Sequence, residues 1–89
     1  MNAIITVVGK DRVGIIAAIC VKLAEYNINV LDISQTILHN SFTMVMAVDM
    51  SLMEVSFAEV ADALKQLGQE MELSIHIQRE EIFDAMHRI

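Results

Sequence analysis

An α+β sandwich, four antiparallel strands with two helices on one face, is the fold that this sequence of 89 residues predicts. Three observations predict it. Apolar segments switch between a two-residue and a three-to-four-residue period, in the order strand, helix, strand, strand, helix, strand. A capping box opens the second helix, so the start of the second half is well marked. Finally, 55% of the residues are hydrophobic and no proline interrupts an element, which supplies one core and no room for a second. A single domain over residues 1–89 follows.

The first strand is expected over residues 2–8, where Ile4, Ile5, Thr6, Val7 and Val8 leave both faces largely apolar, as in a central strand. Gly9 is expected to end it, since glycine takes dihedrals closed to other residues. The stretch Gly9-Lys10-Asp11-Arg12-Val13-Gly14-Ile15-Ile16 then leads into a helix over roughly residues 13–26. Asp11 is placed to cap that helix by accepting from the N–H groups of Val13 and Gly14. Gly14 leaves room for a backbone or a small ligand to approach the first turn. Free N–H groups and the positive end of the helix dipole favour an anion such as a carboxylate there. Ile16, Ile19, Cys20 and Leu23 form the buried stripe, with Lys22 and Glu25 outward. Cys20 reads as a small core residue. Asn27 and Asn29 supply the break that follows.

Residues 29–38 alternate, with Leu31, Ile33 and Ile37 on one face and Asp32, Ser34 and Thr36 on the other. His39-Asn40-Ser41 forms a short polar turn and residues 42–50 resume as a strand, which makes a hairpin. Phe42, Met44, Met46 and Val48 point one way; which face meets the helices is left open. Met44, Met46, Met50 and Met53 read as adaptable packing. Ser56-Phe57-Ala58-Glu59 is the capping box, and Val55 can staple against Val60. Phe57, Val60, Ala61, Leu64 and Leu67 make the apolar face of the second helix, and Gly68 is expected to end it. Leu73, Ile75 and Ile77 alternate with Ser74, His76 and Gln78 in a half-buried fourth strand. Residues 80–89 suit a short C-terminal helical extension, acidic at its start and basic at His87 and Arg88, with a stripe of Ile82, Phe83, Met86 and Ile89. Right-handed crossovers fold this order into a ferredoxin-like βαββαβ sandwich. Its first and third strands are central, and its second and fourth are edges.

Composition excludes several partners. The formal net charge is -6 and no run of lysine or arginine occurs, which argues against nucleic acid and against an anionic membrane surface. No secretory signal pattern opens the chain, and the apolar runs are too short to span a bilayer. Cys20 is the only cysteine, so the sequence holds no internal disulfide. A cytoplasmic protein is expected. Only 20% of residues are charged and mean hydropathy is +0.51, so a domain this small is expected to hide apolar area against another copy or another chain.

On Gly9-Lys10-Asp11-Arg12-Val13-Gly14-Ile15-Ile16, on Asn27-Ile28-Asn29-Val30 and on Asp32-Ile33-Ser34-Gln35-Thr36, the chain resembles an ACT domain over essentially its whole length. Its opening Ile4-Ile5-Thr6-Val7-Val8-Gly9, the Ser34-Gln35-Thr36 run and Ile82-Phe83-Asp84-Ala85-Met86 resemble a group of small, stand-alone bacterial ACT proteins. The resemblance implies a regulatory module that binds a small ligand, often an amino acid, at an interface between two domains. Carried over by position, it implies ligand contacts from Gly9, Lys10, Asp11, Arg12, Val13, Gly14 and Ile15 in the loop. Asn29, Val30 and Asp32 would contribute from the second strand. Val13 departs from the family, many of whose members have proline there.

Chemistry of other kinds finds no foothold. His39, His76 and His87 have no second ligand at metal spacing, and neither Ser34 nor Thr36 is tied by sequence to a base. No metal, cofactor or catalytic residue is expected. Two functions stay open: a non-catalytic sensor that binds an amino acid or similar small molecule as a homodimer or higher homo-oligomer, and an interaction module that assembles with protein alone.

Overall fold

A computed structural model describes residues 1–81 of the chain. Its elements are β1 (Asn2–Lys10), α1 (Ile15–Glu25), β2 (Asn29–Leu38), β3 (Ser41–Asp49), α2 (Phe57–Met71) and β4 (Leu73–Arg79). The strands form one antiparallel sheet in the order β2-β3-β1-β4, so β1 and β3 are central and β2 and β4 are edges, as the sequence predicts. The C-terminal helix expected over 80–89 falls mostly on residues 82–89, which lie outside the described residues.

One face of the sheet carries the core. Ala3, Ile5 and Val7 of β1 and Phe42, Met44, Met46 and Val48 of β3 are buried under Ile15, Ile19 and Leu23 of α1 and Val60 and Leu64 of α2. This settles which face of β3 meets the helices. In α1 the centre of the stripe falls on Ile15 rather than Ile16, while Ile16 and Cys20 pack at its margin. No buried polar or charged residue occurs among the described residues, so the interior is held by apolar burial.

Four boundaries differ from expectation, each for a physical reason. Gly9 does not end β1: the strand runs on to Lys10, with Gly9 opposite Phe42 and Leu73. A Cβ there would run into the Leu73 side chain, so Gly9 serves close packing within the sheet. Asp11 does not cap α1. Gly14 is the N-cap, at φ 94°, and no side chain bonds to the free N–H groups. Asp11 lies three residues before that cap, and its own N–H donates to Asn40 O at 2.7 Å. Gly68 does not end α2, which continues to Met71 and closes on Glu72 at φ 57°. Gly68 is instead buried, and a Cβ there would lie 2.6 Å from the Leu73 carbonyl oxygen. Ser41 belongs to β3, because His39 and Asn40 alone make the turn, both at positive φ (51° and 68°). Such two-residue turns match the twist of a hairpin.

Candidate functional site

The candidate loop joins β1 to α1 at one end of the sheet. Lys10 closes β1 opposite Ser41, and Ser41 faces Leu38. The bond from Asp11 to Asn40 leans the loop across the β2–β3 turn, toward the β2 edge. Arg12 reaches the other way, its Nη1 donating to Met71 O at 3.4 Å, where the last carbonyls of α2 lack helical partners. Val13 is wholly exposed. Gly14 then turns the chain into α1 in a left-handed conformation, its carbonyl accepting from Ala18 N at 2.9 Å, and Ile15 plunges into the core. The first turn of α1 therefore presents N–H groups without a side-chain cap, flanked by Lys10 and Arg12.

Asn29, Val30 and Asp32 occupy the opposite end of the sheet. Asn29 pairs with Asp49, which pairs in turn with Asn2 at the start of β1. Hydrogen bonds from the backbone N–H and then the hydroxyl of Ser51 hold the Asp49 carboxyl below the usual carboxylate range. A bulge follows Val30: Asp32 is opposite Ala47 and Leu31 is left without a cross-strand partner. Asp32 turns one carboxylate oxygen back onto Ile33 N, 2.9 Å away. From Asn29 to the level of Lys10 the sheet rises by about eight residues, roughly 26 Å. Within one chain, the two halves of the predicted site do not meet.

The bulge also corrects the faces expected for β2. Ile33, Gln35 and Ile37 oppose Met46, Met44 and Phe42 and so lie on the helix side, whereas Leu31 stands apart from them. Ile33 is nevertheless 38% exposed and Ile37 54%, so neither helix covers this half of the strand. No charged residue occurs from Ile33 to Leu38, although exposed edges usually carry charge or proline. That gap is the signal by which the sequence could have placed Ile33, Gln35 and Ile37 among the functional residues. Among the described residues, no group of three or more His, Cys, Asp or Glu could hold a metal ion, and no helix is long and apolar enough to cross a membrane.

The fold and the glycine-bearing loop at the head of α1 define the class as a ferredoxin-like α+β module. The family follows from sequence: the ACT domain model matches residues 2–78, and the chain belongs to the ACT domain family. ACT domains are regulatory modules that bind small molecules and are not themselves catalytic. A UPF0237 protein from Listeria innocua is 53% identical over 89 residues, covering 100% of both chains. An ACT domain protein from Streptococcus pneumoniae superposes with a TM-score of 0.82 at 42% identity, covering 98% of each chain. The regulatory subunit of aspartate kinase from Thermus thermophilus, in a ligand-free form, superposes with a TM-score of 0.68 at 25% identity. That match covers 86% of this chain and 50% of the other.

Proposed function

We propose that this chain is a non-catalytic sensor that binds an amino acid or a similar small molecule between two copies of itself. One observation carries the reading: the two halves of the candidate site lie at opposite ends of an unguarded edge strand. Antiparallel pairing of β2 with the β2 of a second copy reverses one strand against the other. Residues directly opposite share a face, so an axis at Gln35 sets Ile33 against the partner's Ile37 on the helix side. The same register carries the partner's Asp32 to the level of Leu38, beside the turn over which the Asp11 loop leans. Each site then takes its loop from one copy and its strand from the other.

In this arrangement a ligand carboxylate meets the uncapped N–H groups at the head of α1, with Lys10 and Arg12 adding positive charge. The ligand ammonium lies at the level of the partner's Asp32, on the helix side of β2 where the partner's Ile33 and Gln35 stand; the Asp32 side chain itself, opposite Ala47, is on the other face. Support also comes from the family, whose members are small-molecule regulators, and from the aspartate kinase regulatory subunit among the structural neighbours.

A thermal-shift screen of the common amino acids tests the reading. A true ligand at about 100 times its Kd should stabilise the protein by roughly 2.7 kcal/mol. Val13→Glu should weaken that shift while the protein still folds, because the wholly exposed position beside the uncapped N–H groups then carries a charge that repels a carboxylate. A ligand that binds the folded variant with unchanged affinity would move the site elsewhere. A dimer that responds to no amino acid would favour the interaction module instead.

A further inference from the structure

Neither helix touches the second face of the sheet. An antiparallel sheet that turns one face to water ordinarily alternates apolar inside with polar outside. The two central strands do not keep that rule. On the face turned away from the helices, Ile4 and Ala47 lie opposite each other and half-buried, while Val45 and Val8 stay 36% and 46% exposed. The row through Ile4 and Ala47 ends on Gln78 of β4 at one edge and on Asp32 of β2 at the other. β4 delivers the chain to the rim of this face. Arg79 is opposite Ala3, and Glu80 and Glu81 are already helical beside Met1 and Asn2. The helix side is occupied at that end of the sheet, where Met50 is buried and the Arg79 guanidinium lies 5.4 Å from the centroid of the Phe57 ring. The bare face is the other one.

We propose that residues 82–89, which lie outside the described residues, continue the turn begun at Glu80 as a helix laid across the open face of their own sheet. Ile82, Phe83 and Met86 would then seat on Ile4, Ala47 and Val45. The apolar residues of the segment, Ile82, Phe83, Met86 and Ile89, share one helical face. Its length also fits: as a helix, residues 80–89 measure about 15 Å, and the three strand spacings from β4 to β2 measure about 14 Å. Charge follows the same direction. The acids of the segment come early, whereas His87 and Arg88 come in its last turn and so arrive on the β2 side, where Asp32 closes the row. The segment starts at the rim of the face with no linker, so it meets that face at a high effective concentration that a separate molecule lacks. With the face covered in this way, association between copies is left to the strand edges. The proposal does not depend on the ligand reading.

The sequence contains no tryptophan, so Phe83→Trp gives the full chain a single reporter at the proposed contact. Docked, the indole should emit at the short wavelengths of a buried ring and resist quenching by iodide. Ala47→Lys, added to the same chain, places a charged side chain under the helix. The emission should then move to that of indole in water and the quenching should rise, while the protein still unfolds cooperatively. Val45→Lys is the second obstacle, at a position already exposed. Dilution tells the two possible hosts apart. Emission that holds as the protein is diluted through its dimer dissociation places the segment on its own chain. A red shift on dilution would place it on a second copy and overturn the proposal. A reporter open to iodide from the outset would overturn it as well, as would one that stays buried in the folded Ala47→Lys and Val45→Lys chains.

Discussion

At the scale of single residues, the three glycines do three different jobs. Gly14 is needed for its backbone, at φ 94° with nothing within 4 Å of a Cβ. Gly9 and Gly68 are needed for space, each against Leu73. This distinction sets the sign of a mutation. Inside a helix, Gly→Ala ordinarily stabilises by up to about 1 kcal/mol. At Gly68 the added methyl meets the Leu73 carbonyl oxygen at 2.6 Å, and either α2 or β4 must shift. Overpacking of that kind costs about 1–3 kcal/mol. Gly68→Ala should therefore lower the free energy of unfolding measured in urea, against the helix-propensity trend; an increase would show that α2 has room to move. Only the presence of these glycines was legible in the sequence. A glycine near a helix end reads as a stop, and the strand that passes beneath it comes from a turn not yet traced.

At the scale of elements, α1 and α2 begin by different means. Ser56 Oγ accepts from Glu59 N at 3.1 Å, and Val55 packs against the core beside the first turn of α2. The capping box was legible because its donors and acceptors are local and fixed in spacing. Ser56→Ala should cost about 1 kcal/mol in chemical denaturation. An unchanged midpoint would mean that packing alone sets this helix start. The start of α1 was misread for the converse reason: Asp11 has the right chemistry, but the left-handed Gly14 sets the helix origin three residues later. In β2 the alternation was legible and the bulge was not. A two-residue period carries no mark of one inserted residue, so Leu31 was grouped with Ile33 and Ile37 until the pairing with β3 separated them.

At the scale of the whole molecule, the order of strands and helices was readable from hydrophobic period alone, since each element buries a face of its own. The site was readable only as two unconnected stretches. Their separation along the sheet, and the edge that would bring two copies together, exist only once the strands are paired. Association must then act against a net charge of -6 on each copy. From Ile33 to Ile37 the β2 contact contains no charged side chain, and the partner's Asp32 enters only at its ends, so salt has little attraction to screen there. It screens chiefly the mutual repulsion of the two copies, over a Debye length of about 10 Å at 0.1 M. Dimerisation through β2 should therefore tighten as salt is raised. The measurement uses the unaltered protein, diluted across its dimer dissociation. Sedimentation equilibrium at low and high sodium chloride would give the two dissociation constants. A dimer that loosens in salt would be held by charge pairs, and the uncharged strip of β2 would then not be its seam.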